Sequence, residues 1–168
     1  GGIYPWLVWN VFFPLHEWAK GHPTYRLLRE MEAADRLTFP ERERLTWDKL
    51  RAFIEYCYAH VPYVRAWMKE AGLKPSDVED SAGLARLPVL TKADVRKHRA
   101  SLRSEIAGSL ASSSTGGSTG EPLLFDLSKE RIASRVACRQ RVSRWWGLSV
   151  GVPELAIWGS PVEASRQD

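Results

Sequence analysis

The most regular alternation of apolar and polar positions lies between residues 46 and 61. Leu50, Phe53, Ile54, Cys57, Tyr58 and Val61 recur three and four apart. That spacing lines one side of an α-helix, and Thr46 stands where a capping hydroxyl belongs. Pro62 interrupts the stripe, because proline lacks the amide that a helix interior needs. A short helix is expected from Tyr63 to Ala71, ending at Gly72, a residue suited to a left-handed helix stop. Upstream, Pro23 opens a helix in which Tyr25, Leu27, Leu28 and Met31 carry the stripe toward Arg36. Residues 37–45 read as a polar connection through Pro40.

Beyond Gly72 the pattern shortens. Residues 74–86 read as a loop with one helical turn around Val78 to Leu84. Thr91 and Asp94 have the T-x-x-D spacing of a capping box, which starts a helix running to about His98. Residues 101–109 fit no single element. Pro122 bars a helix from the next stretch, so Leu123 to Leu127 is expected to be a strand. Ser128 then caps a long helix to about Trp146, with Ile132, Val136, Cys138, Val142, Trp145 and Trp146 on or near its buried side, and Gly147 ends it. Leu155 to Trp158 reads as a further buried strand. This order predicts an α/β fold: residues 1–100 mainly helical, then strand, glycine-rich turn, strand, long helix and strand over residues 101–168. A parallel layer needs several strands sealed by helices. Two or three are visible, so the sheet is expected to be incomplete.

Composition narrows the classes. The 168 residues suit about one domain, and 44% hydrophobic with 26% charged excludes bulk disorder. A net charge of +4 tolerates an anionic ligand without arguing for nucleic acid. Arg131, Arg135, Arg139, Arg141 and Arg144 do not share one helix face, so the basic run from Lys129 to Arg144 reads as a solvated face rather than a nucleic-acid interface. Cys57 and Cys138 lack metal-ligand spacing and read as small buried hydrophobes. His16, His22, His60 and His98 form no HExxH or Cys/His cluster, so no metal site built from protein ligands is expected. Ile3 to Leu15, rich in Trp6, Trp9, Phe12 and Phe13, is shorter than the ~20 residues of a membrane span. It fits a packed N-terminal segment or an aromatic wedge at a membrane interface. A reducing cytoplasm is the expected compartment.

The candidate chemistry is concentrated between Leu110 and Phe125, LASSSTGGSTGEPLLF. Thr115, Gly116, Gly117, Ser118, Thr119 and Gly120 offer hydroxyls and unobstructed amides in one run. A phosphate chain needs such donors converging at close range, and glycine removes the side chain that blocks approach. A flexible Ser/Gly linker has the same composition. The run lies between apolar, structured stretches, which favours a binding loop. It has no G-K-[ST] ending and no GxGxxG pattern, so a mononucleotide or pyrophosphate site fits better than a dinucleotide one.

The stretch Ser114 to Pro122, STGGSTGEP, resembles the phosphate-binding loop of the adenylate-forming enzymes, with Thr119, Gly120, Glu121 and Pro122 matching its T-G-x-P core. Two more elements in the same order are similar to the phenylacetate–CoA ligase branch: His60-Val61-Pro62-Tyr63, and Leu87 to Asp94, LPVLTKAD. Tyr4-Pro5 and Pro14-Leu15-His16-Glu17 resemble segments of the branch's members from capsular polysaccharide biosynthesis. Leu123 and Glu121 stand where many superfamily members carry lysine.

The resemblance implies the start of the large domain of such an enzyme, which joins ATP and a carboxylic acid into an acyl-adenylate and then a thioester. It implies ATP and Mg²⁺ as cofactors, coenzyme A as the thiol in the complete protein, and residues 115–120 on the phosphates. It spans about the first third of a family member, without the acyl pocket or the mobile domain that carries the catalytic lysine. Turnover by this chain alone is therefore not expected, and exposed apolar surface would favour self-association. An adenylyltransferase or acyl-activating role in surface polysaccharide assembly stays open, as does a non-enzymatic helical module that binds a partner.

Overall fold

The computed structural model describes residues 2–115 and 122–155. The described part is mostly helical with one small two-stranded sheet, a partial α/β arrangement. Helix α1 (Ile3–Leu7) runs through a π-helical turn (Val8–Phe12) into α2 (Phe13–Ala19). Gly21, at φ +65°, then turns the chain into α3 (Thr24–Ala34).

Helix α4 (Phe39–His60) begins earlier than the stripe alone predicts. Its cap is Thr38, whose amide and hydroxyl both donate to Glu41, at 2.7 and 2.6 Å. Pro40 sits in the first turn, where an absent amide costs nothing. Thr46, expected to be the cap, is instead inside the helix with its hydroxyl donating to the Arg42 carbonyl. Pro62 starts α5 (Pro62–Glu70), and Gly72 closes it at φ +68°. A 3₁₀ turn (Pro75–Asp77) and α6 (Ser81–Ala85) follow.

The core packs here. Ile54, Met68, Leu73 and Val78 are buried together, with Leu50, Tyr58, Val64, Trp67 and Leu87 around them. Gly83 lets α6 close on this core, because a Cβ there would lie 2.2 Å from the Asp77 carbonyl oxygen.

Thr91 caps α7 (Lys92–Lys97) by the predicted box: its side chain accepts from the Asp94 amide, and its own amide donates to the Asp94 carboxylate at 2.9 Å. Strands β1 (Leu110–Ser114) and β2 (Leu124–Ser128) pair antiparallel, with Ser112 opposite Asp126 and Ser114 opposite Leu124. The parallel layer expected from sequence is not what these two strands form. Their connection is shorter than the dozen or more residues a parallel crossover needs. The strand expected at Leu155 to Trp158 lies, from residue 156 on, outside the described residues.

Ser128 caps α8 (Lys129–Trp145) by accepting the Arg131 amide at 3.1 Å. Its buried line is Ala133 and Ala137, not the larger residues expected there. Alanine leaves room for α3 to approach closely, and Leu28 and Thr24 of α3 are buried. Cys138, Val142, Trp145 and Trp146 therefore face outward. Of the two cysteines expected to be buried, Cys138 is exposed and Cys57 is half-buried, which pushes its thiol pKa up.

The basic run on α8 is not left to solvent alone. Arg26–Glu130 at 2.9 Å and Arg144–Glu32 at 2.5 Å align α3 and α8 in parallel, with Arg141 3.6 Å from Asp35. The aromatic N-terminus is split. Trp9 and Phe13 pack on Tyr25, whose hydroxyl donates to the Trp9 carbonyl, and the Arg144 guanidinium lies 4.4 Å over the Trp9 ring. Burial pushes the Tyr25 hydroxyl up to about 12, against the opposing pull of Arg144. Trp6, Phe12, Leu15 and Trp18 remain exposed. Among the described residues, no helix is long and apolar enough to cross a membrane.

Substituting Gly83→Ala should destabilise the chain by about 1–3 kcal/mol, the usual range for overpacking, because the Asp77 backbone cannot yield without opening the core. Chemical denaturation of the two proteins measures this, and equal midpoints with equal slopes would refute it.

Candidate functional site

The predicted phosphate loop is carried by the β1–β2 hairpin. Of its candidate residues, Thr115 is described, whereas Gly116, Gly117, Ser118, Thr119 and Gly120 lie outside the described residues. Thr115 is exposed just past β1. Its amide donates to the Leu123 carbonyl at 3.0 Å, and its Oγ1 accepts the Leu123 amide at 3.0 Å. The two ends of the loop are thus held together at Thr115 and Leu123. A hydroxyl that accepts in this way keeps a proton of its own to donate.

An isolated two-stranded hairpin is marginal in water, so something else must hold it. Periodicity and motif spacing do not reveal that support. The Arg99 Nη2 donates to Ser112 Oγ at 2.9 Å and to Asp126 Oδ1 at 2.7 Å. Arg103 Nε takes the second oxygen, Oδ2, at 2.7 Å. The Asp126 side chain is 8% exposed, and a carboxylate this sheltered needs both oxygens satisfied. Hydrogen bonds first from Arg103 and then from Arg99 hold its carboxyl down to about 2, against the opposing effect of desolvation. Two signals point to the pair: a lone carboxylate inside an apolar strand, LFDLS, and two arginines four residues apart.

The arginines sit on a turn closed by the Leu102 amide donating to the His98 carbonyl at 3.0 Å. That turn is anchored to the α4–α5 corner. The Tyr63 amide donates to the Ser101 carbonyl at 3.0 Å, and the Glu105 amide to the His60 carbonyl at 2.7 Å. Tyr56 and Ser104 share a hydrogen bond of 2.7 Å, Arg65 pairs with Glu105 at 2.8 Å, and the Tyr63 ring lies 4.8 Å from that of His98. The corner at His60 to Tyr63, the turn that follows α7 and the strands that carry the two loop ends thereby join one continuous framework.

Between this turn and the hairpin lies a cavity of about 340 Å³. Its walls include Val95, Leu102, Leu110 and Phe125, with Arg99, Arg103 and Arg131 contributing charge. No group of three or more His, Cys, Asp or Glu placed to hold a metal occurs among the described residues. Both carboxylate oxygens of Asp126 accept from arginine. Lys92, in the first turn of α7, is exposed.

Lowering of the Asp126 pKa gives a pH signature. A carboxyl depressed on folding stabilises the fold above its unfolded pKa, and that contribution is lost as pH falls through the folded value. The stability advantage of the chain over its Asp126→Asn variant should therefore be present above about pH 4, shrink on acidification, and vanish near pH 2. Urea unfolding of both proteins from pH 6 to pH 2 reads it directly. A difference independent of pH would refute the assignment.

No family model matches the chain. Over 103 residues it is 36% identical to the phenylacetate–coenzyme A ligase of Thermus thermophilus, an alignment that covers 54% of this chain and 22% of that protein. The chain therefore spans about a fifth of the length of this curated relative. This distant similarity points to the broad superfamily of adenylate-forming ligases.

Proposed function

We propose that the β1–β2 hairpin is the polyphosphate grip of an ATP-dependent, carboxylate-activating ligase. The observation that carries this reading is Thr115, at the loop mouth, whose hydroxyl accepts the Leu123 amide and keeps a proton to donate. A serine-, threonine- and glycine-rich run closed by that pair has the donor chemistry a phosphate chain requires. In this reading Thr115, Gly117, Ser118, Thr119 and Gly120 hold the β- and γ-phosphates, with Gly116 leaving space for approach.

ATP fits the donor set. For Mg²⁺, the described residues supply no carboxylate cluster, so the ion would be held mainly by phosphate oxygens and by acidic groups elsewhere in the protein. Bound there, it would neutralise phosphate charge. This chain's own contribution is to fix the loop ends and present N–H and O–H donors to the anion.

The finer reading is a ligase of the phenylacetate–CoA ligase branch. It would form an acyl-adenylate from ATP and a carboxylic acid, and then a thioester with coenzyme A. The relative's name and the three ordered elements support it. Turnover is assigned to the whole protein, of which this chain supplies the phosphate grip.

Titration calorimetry of the chain with ATP, with and without Mg²⁺, tests the reading. Saturable binding is expected. Thr115→Val should weaken it roughly tenfold, because a hydrogen bond to a charged group contributes about 1.5–3 kcal/mol, while Thr115→Ser retains it. Wild-type protein that takes up no ATP would overturn the proposal.

A further inference from the structure

We propose that Asp126, through Arg99 and Arg103, is a positioning residue that sets the geometry of the loop ends at Thr115 and Leu123. The inference deepens the phosphate-grip reading and rests on it for its functional consequence.

Ser112 and Asp126 face each other directly across the two strands. A single guanidinium nitrogen of Arg99 donates to both, so the contact bridges β1 and β2 rather than decorating one of them. Arg103 fixes the carboxylate from its other oxygen, which sets the rotation of the Asp126 side chain. On the same face, the next pair toward the loop is Ser114 and Leu124, and the loop mouth follows immediately. Three residues separate Asp126 from Leu123, about 10 Å at the usual rise of a strand.

Register is weakly specified in a short sheet without neighbouring strands, and a slip of one residue turns every side chain to the opposite face. A slip here would take Asp126 off both arginines and leave a carboxylate turned away from its partners. The clamp therefore penalises every register except the one that brings the Thr115 amide to the Leu123 carbonyl. Its reference frame is external to the hairpin, since the turn carrying both arginines is tied to His60 and Tyr63 by backbone hydrogen bonds.

The test compares wild type with Asp126→Asn, Arg99→Lys and Ile54→Val. Amide hydrogen exchange is followed at Thr115 and Leu123, together with Mg²⁺–ATP titration. Arg99→Lys keeps the charge but cannot bridge two acceptors in the fixed fork of a guanidinium. Both clamp variants should speed exchange at Thr115 and weaken ATP binding roughly ten- to a hundredfold, by analogy with the loss when groups that orient a metal ligand are removed. Ile54→Val, which loosens the core away from the hairpin, should do neither. Wild-type behaviour of Arg99→Lys in both measurements would overturn the positioning role. So would weakening by Ile54→Val to the same extent as by the clamp variants. If wild type binds no ATP, the nucleotide reading falls, and the clamp then stands or falls on the exchange rates alone.

Discussion

One carboxylate, Asp126, decides whether this hairpin has a defined shape. It is sheltered, ionised and bonded through both oxygens to arginines from a single turn. Two strands alone are marginally stable in water. The hairpin borrows its order from that turn and from α8, which Ser128 caps at the very end of β2. Everything expected of the loop between Thr115 and Leu123 depends on strands that are held from outside.

The helices that hold them are largely legible in the sequence. The periodic stripe of α4, the proline that begins α5, the glycine at 72 and the Thr91–Asp94 box are local signals, and local physics settles them. The start of α4 is harder to place, because Pro40 reads as a breaker until one asks whether it falls in a first turn. The inner face of α8 misleads for a different reason. The size of an apolar side chain is a poor guide to burial there, since close approach to α3 selects Ala133 and Ala137 and turns the tryptophans out. Which helix lies opposite is not written in a single stripe.

Long-range charge pairing is the least legible part. Arg99 and Arg103 lie 27 and 23 residues from Asp126, and nothing local links them. The same holds for Arg144 with Glu32, which sits 112 residues away. What the chain does disclose is an imbalance: a charge in an apolar strand, and two arginines with no acid three or four residues to either side. The sheltered carboxylate carries a desolvation penalty that its distant arginine partners offset. An unmatched charge in an otherwise consistent element is thus a prompt to look for its partner elsewhere. In the loop itself, the residue types point to a phosphate grip, and of these six residues the structure describes only Thr115, which it places at the loop mouth.

The framework also changes how the three sequence elements are understood. His60 to Tyr63 and Thr91 to Asp94 contain residues that would ordinarily be searched for ligand contacts. Their roles here are different. His60 accepts through its backbone carbonyl, Tyr63 donates through its amide and packs on His98, and Asp94 is engaged in capping, with Thr91 holding its carboxyl pKa low. Small residues offer a loop little side chain to pack. The bulky and charged residues that hold the strands beside this one lie elsewhere in the chain. A pattern that unites a corner, a capped helix and a glycine-rich run is what a supported loop would require, with the support outside the loop and the chemistry within it.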